Sequence, residues 1–328
     1  MYLEHFGLRE LPFSLTPDTS FFFACSSYQE ALNTLLVAAR NGEGFIKIVG
    51  EVGNGKTMLC RKFLATLNDN PYATTNVIGT QDNNAQEVSS EDDVKKRSKS
   101  RFATAYIPNP YLEPRSLLLA LADEFRIQLD KNVDQHALLK ELTFALLNYA
   151  REGKRVLVCL DEAQAMPLES LEVLRLLTNL ETEKRKLMQV VLFGQPELDE
   201  RLKHNSVRQL RQRIGFHYAL KGLRRDELDR YLRYRLSVAG YKGETLFNEQ
   251  SVAQLHRVTS GTPRLINIIA NKALMLAYGE GRQMVQPRHI AVATADTPEA
   301  RRDWRPWILA VLLVLLAVIL IAEWVLVE

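Results

Sequence analysis

The chain has 328 residues, of which 46% are hydrophobic and 25% charged. These values exclude a disordered polymer and a disulfide-stapled miniature, and suit two globular domains with an appendage. A formal net charge of +3 is too small to imply a nucleic-acid partner. The cysteines, Cys25, Cys60 and Cys159, form no Cys-x-x-Cys pair, so neither a zinc site nor a disulfide framework is expected.

From the N-terminus, Met1-Tyr2-Leu3-Glu4-His5 lacks a basic stretch followed by an apolar one, so a secretory signal peptide is not expected. Phe45–Val49 reads as a short buried strand running into glycine, and Lys56 to about Asn68 as a helix. Residues 76–100 are polar, with an acidic cluster at Glu91-Asp92-Asp93 and a basic one at Lys95-Lys96-Arg97. Such a segment buries too little apolar surface to offset its ordering entropy. It reads as a mobile insertion, with a basic contact to nucleic acid or lipid as the alternative. Phe102–Ile107, Arg155–Leu160, Leu187–Phe193 and Gly215–Leu220 read as further strands. Helices are expected at Ser116–Arg126 and Gln135–Arg151. Strands alternating with helices predict an α/β fold with a parallel sheet covered on both faces. From about Lys221 the strand patterns stop. Arg224–Ala239, Asn248–Val258, Pro263–Tyr278 and Gln286–Ala295 read as helices, which predicts a second, all-helical domain.

The expected organisation is a core over 1–220, a helical lid over 221–295, a linker over 296–306 and a transmembrane helix over 307–327. Trp307–Val327 is apolar except for Glu323, and about 20 such residues span a bilayer. Trp304, Trp307 and Trp324 flank it, where amphipathic rings favour the headgroup region. Arg301, Arg302 and Arg305 precede it, so the positive-inside tendency puts the bulk of the chain in the cytoplasm. The alternative is a buried hairpin or an oligomer helix.

Gly50-Glu51-Val52-Gly53-Asn54-Gly55-Lys56-Thr57 matches G-x-x-x-x-G-K-[ST] at every fixed position. The glycines let successive N–H groups curl into a phosphate-binding nest. Lys56 brings positive charge to the β- and γ-phosphates, the Thr57 hydroxyl coordinates Mg²⁺, and the following helix, with Met58, adds its positive end. Val156–Leu160 followed by Asp161-Glu162 has the form of a Walker B strand. Asp161 is expected on the metal, and Glu162 on the attacking water. Gln195, after the next strand, is placed to orient water or contact the γ-phosphate, the alternative being a helix-initiating turn. Arg264 opens a helix, where a cation is unfavourable unless it serves an anion. Arg208, Arg211 and Arg213 precede the Gly215 strand. Arg211 and Arg213 are candidates for an arginine finger offered to a neighbouring subunit, or else part of a solvated or DNA-facing basic helix.

These elements in this order resemble an AAA+ ATPase with a phosphate loop, a Walker B strand, a sensor strand, arginines and a helical lid. The chain is further similar to the ATPases of the general secretion pathway protein A type, and within them to the branch serving the MSHA pilus. Tyr2-Leu3-Glu4-His5-Phe6-Gly7-Leu8, Tyr28-Gln29-Glu30-Ala31-Leu32, Tyr106-Ile107-Pro108-Asn109-Pro110-Tyr111-Leu112, Leu160-Asp161-Glu162-Ala163-Gln164, Gly194-Gln195-Pro196-Glu197-Leu198 and Gly261-Thr262-Pro263-Arg264-Leu265-Ile266-Asn267 carry the likeness. The resemblance implies a homo-oligomeric ATPase that uses ATP and Mg²⁺. It implies an inner-membrane location and membrane-protein partners in a type IV pilus or type II secretion apparatus. Two other classes compete with it, a nucleic-acid ATPase of the transposition-helper type and a nucleotide-gated scaffold without turnover. The membrane segment counts against the first, and the presence of Glu162 and the arginines against the second.

Overall fold

The computed structural model describes residues 2–16, 18–69, 101–128, 134–182 and 185–300. The polar insertion at 76–100 and the expected membrane span at 307–327 lie outside these residues. Among the described residues no helix is long and apolar enough to cross a membrane. The chain divides into two compact units, Thr16–Leu223 and a second made of Met1–Leu15 with Arg224–Glu328.

The first unit is built on strands β1 (Phe45–Gly50), β2 (Phe102–Ile107), β3 (Arg155–Leu160), β6 (Met188–Gly194) and β7 (Ile214–Leu220), with β4 (Glu181–Thr182) and β5 (Arg185–Lys186) forming a separate antiparallel ribbon. The sheet order is β2-β3-β6-β1-β7, and every pairing is parallel. Parallel strands need long crossovers, which place helices over the sheet and make the strands continuously apolar. Accordingly all seven residues of β6 are buried, as are Val156–Leu160 of β3. Leu117, Leu118 and Leu121 of the helix Pro114–Glu124 join one core with Leu138, Leu142 and Leu146 of Gln135–Arg151 and with Leu171, Leu174 and Leu177 of Leu168–Thr178.

The strands expected from sequence are present to within a residue or two. The helix expected at Ser116–Arg126 runs instead from Pro114 to Glu124. Proline is pre-organised for a first helical position, and Arg126 at φ 55 cannot continue the helix. The expected basic helix near Arg211 is one turn, Arg208–Arg211.

The second unit holds the helices Arg225–Val238, Glu249–Thr259, Pro263–Gly279 and Pro287–Ala295. One parallel bridge, Phe247 to Val285, interrupts its otherwise helical character. The residues before Leu15, expected in the ATPase core, pack here instead. Tyr2 donates to Asn271 Oδ1 at 2.6 Å, Phe13 meets Phe247 edge-on, and Tyr2, Phe6, Leu8 and Phe13 are buried. The start of the expected linker is also packed. Thr297 is buried, and Lys272 pairs with Asp296 at 2.8 Å.

Candidate active site

Open parallel sheets bind ligands beyond the carboxyl ends of their strands. Here three adjacent strands, β3, β6 and β1, end in Asp161-Glu162, Gln195 and the Gly50–Gly55 loop. The register sets Leu160 beside Leu192 and Val49 beside Gly194, so all three polar ends meet at one edge.

The loop is shaped by conformations open to glycine. Gly53 and Gly55 have φ of 82° and 78°, a region that costs other residues conformational strain. A Cβ at Gly55 would collide with the Tyr28 hydroxyl, which donates to the Asn54 carbonyl. Asn54 is itself buried and ties the loop to β7 by donating from Nδ2 to Leu220 O at 3.1 Å. The helix Lys56–Asp69 begins directly after this turn.

Lys56 is 6% exposed. Its ammonium donates to the loop's own carbonyls, Gly50 O at 2.7 Å and Glu51 O at 3.1 Å. Burial lowers its pKa, against the opposing pull of Glu162 and Asp161. Thr57 donates from Oγ1 to Asp161 Oδ2 at 2.5 Å. The Asp161 carboxyl is raised above its ordinary pKa by burial, an effect the Thr57 hydrogen bond opposes. Tyr106, at the end of β2, directs its hydroxyl at the same Asp161 Oδ2 over 3.4 Å. Its pKa is pushed up to about 12, first by burial and then by Asp161, so it stays a proton donor at neutral pH.

Glu162 takes a left-handed conformation, φ 53 and ψ 38, uncommon for a residue with a side chain. Its Oε2 accepts from Gln195 Nε2 at 3.0 Å and from Gln164 Nε2 at 2.5 Å. The structure therefore brings together Lys56, Thr57, Asp161, Glu162 and Gln195. Arg211 is exposed and Arg213 half-buried. Neither forms a hydrogen bond or ion pair with these groups among the described residues. Arg264 is exposed at the start of Pro263–Gly279, in the other unit.

Sequence reasoning assigned no role to Tyr28, Tyr106 or Gln164. Gln164 stood inside a quoted motif, two residues after Glu162. Its signal was a carboxamide in a turn directly behind two acids. Tyr28 and Tyr106 each open one of the family-like motifs, but their reach to the loop and to Asp161 is tertiary and leaves no local mark of a role.

ATP with Mg²⁺ fits these residues on three observations. The turn holds two glycines at positive φ, Gly53 and Gly55, the backbone that lets successive N–H groups face an anion. The buried Lys56 ammonium donates to loop carbonyls, with the acids Glu162, Asp161, Glu51 and Glu197 nearby. Thr57 and Asp161 offer hard oxygen donors side by side, the donor chemistry Mg²⁺ prefers. Among the described residues no group of three or more His, Cys, Asp or Glu could hold a metal on its own. Mg²⁺ is ordinarily held by one or two protein side chains together with substrate phosphates.

A family model described as an AAA domain matches residues 39–202. The chain is 36% identical over 322 residues, 98% of its length, to the general secretion pathway protein A of Aeromonas hydrophila. It spans about half that relative, 53% of its length. Among solved structures, Cdc6p from Pyrobaculum aerophilum superposes with a TM-score of 0.59 at 16% identity, covering 87% of this chain and 70% of that one. Drosophila ORC bound to DNA superposes with a TM-score of 0.56 at 16% identity, covering 87% and 65%. Likenesses of this kind establish the fold.

Proposed function

The chain belongs to the AAA family of P-loop ATPases, and on that premise we propose that it hydrolyses ATP at the inner membrane to drive or regulate assembly of a type IV, MSHA-like pilus or a type II secretion complex. The observation that carries this reading is the identity of 36% to a general secretion pathway protein A across 98% of the chain. The polypeptide is anchored through 307–327, with the ATPase on the cytoplasmic face.

The geometry of the loop and strand ends supports the phosphate, metal and water-handling roles, and the arginine roles rest on the sequence pattern alone. The loop Gly50–Gly55, with Lys56, Thr57 and Met58 at the helix start, holds the phosphates. Lys56 leaves the carbonyls of Gly50 and Glu51 for phosphate oxygens, a stronger, charge-assisted pairing. Thr57 and Asp161 hold Mg²⁺, which neutralises charge on the phosphates when bound. Glu162 takes the proton of the attacking water, and Gln195 orients that water or meets the γ-phosphate. Arg264, a cation at a helix start, serves an anion, and Arg211 or Arg213 acts as a finger donated to a second copy.

In the native bacterium, the full chain should sediment with the inner membrane, and Lys56→Ala in the chromosome should abolish surface pili or secretion of a substrate protein. Recovery of the intact chain in the cytosolic fraction, with pili and secretion both unchanged by the substitution, would overturn the reading. The transposition-helper alternative predicts instead an affinity for DNA that falls steeply with salt.

A further inference from the structure

We propose that Gln164 is a positioning residue for ATP hydrolysis, clipping the Glu162 carboxylate to the carboxyl end of β6 and so fixing where the base points. The inference deepens the assignment of Glu162 as the water-polarising group and rests on it.

Gln164 donates from Nε2 to Glu162 Oε2 at 2.5 Å, and its Oε1 accepts the backbone N–H of Gln195 at 3.0 Å. A backbone N–H can only donate and an ionised carboxylate can only accept. The amide therefore has one satisfactory orientation, oxygen toward the strand end and nitrogen toward the acid. Turned over, it would set donor against donor and acceptor against acceptor.

The strand end is linked to Glu162 a second time, because the Gln195 side chain donates to the same Oε2 at 3.0 Å. With Oε2 holding two donors, the acid is pinned by one oxygen and Oε1 remains for water. The pinning answers a local need. Glu162 lies in left-handed backbone at the mouth of a single 3-10 turn, Ala163–Ala165. Regular secondary structure does not fix its side chain there. Gly194 beside it makes room for Leu198, because a Cβ there would stand 2.7 Å from Leu198 Cδ2, whereas Gln164 Oε1 at 3.4 Å would be in ordinary contact.

Two substitutions in the purified full chain separate positioning from mere packing. Gln164→Met keeps the length and loses both hydrogen bonds. Gln164→Glu keeps the acceptor for Gln195 N–H but sets a second carboxylate against Glu162. With Gln164→Met, kcat should fall about 10- to 100-fold, the scale of a misplaced catalytic group, while the Kd for ATP stays within about twofold. With Gln164→Glu, two carboxylates face each other in place of a donor and an acceptor, so Glu162 should turn away and kcat should fall by a similar factor with the Kd for ATP kept. Either variant retaining the unsubstituted kcat overturns the proposal. A lower melting temperature with kcat per folded protein unchanged does the same. Glu162→Gln distinguishes the two layers of the argument. Full turnover in that variant removes the base assignment itself, whereas an inactive Glu162→Gln beside a fully active Gln164→Met removes only the clip.

Discussion

At the scale of single residues, Lys56 and Glu162 divide binding from chemistry. Burial makes the Lys56 charge costly, and the acids around it offset that cost. An ammonium whose hydrogen bonds go to neutral carbonyls gains charge-assisted ones when phosphate arrives. A hydrogen bond to a charged group contributes roughly 1.5–3 kcal/mol, and each 1.4 kcal/mol is about tenfold in affinity. Lys56→Ala should therefore weaken ATP binding by at least about 10-fold, measured by titration with a fluorescent nucleotide. Unchanged affinity would remove the phosphate site from this loop. Glu162→Gln leaves Thr57 and Asp161 in place, so ATP should still bind. Turnover should fall about 10²- to 10⁴-fold, the usual contribution of a positioned general base. Steady-state phosphate release is the measurement, and wild-type turnover would transfer the role to another group.

At the scale of elements, the N-terminal segment is held by a buried arginine. Arg235, on the helix Arg225–Val238, donates from Nε to Pro12 O at 2.5 Å and from Nη2 to Ser14 O at 3.2 Å. Arg235→Met keeps the apolar stem but removes the donors to both carbonyls. The expected cost is about 2–3 kcal/mol, seen as a lower denaturation midpoint of the full chain with Kd for ATP unchanged. An unaltered midpoint would mean that the apolar anchors Tyr2, Phe6 and Phe13 suffice. This segment shows where sequence reading stops. The contacts made by Tyr2 and Pro12 bridge 269 and 223 positions, and no local pattern records such a partner. The β6 and β3 strands were legible because a parallel strand buried on both faces must be apolar throughout. The phosphate loop was legible because glycine, lysine and threonine each answer a separate demand of the phosphate at fixed spacing. Gln164 stood in view without a role, because a carboxamide becomes informative only once its two hydrogen-bond partners are known. The end of the helix near Arg126 was misjudged because a left-handed residue other than glycine leaves no trace in composition.

At the scale of the whole molecule, the open question is whether one chain completes its own active site. Arg211 is exposed and Arg213 half-buried, and neither side chain is tied by a hydrogen bond or ion pair among the described residues. Both lie in the stretch leading into β7, the edge strand of the sheet. A surface arginine without an intramolecular partner is free to enter another chain's site at little cost. We propose that one of them does so, stabilising charge on the γ-phosphate held by a neighbouring copy. Activity per chain should then rise with protein concentration as copies associate. Arg213→Ala protein, with the arginine missing but an intact phosphate loop, should be nearly inactive alone if Arg213 is the finger. Lys56→Ala protein should be inactive alone for the opposite reason. Mixed in equal amounts they form some interfaces where an intact Arg213 meets an intact Lys56, and hydrolysis should return in part. A finger acting in trans contributes roughly 10³-fold or more, so rescue at even a small fraction of the interfaces exceeds the background of either variant. The same mixture made with Arg211→Ala identifies which arginine is responsible. Turnover per chain that is independent of concentration, with no rescue from either mixture, would assign both arginines to the surface and each active site to a single chain.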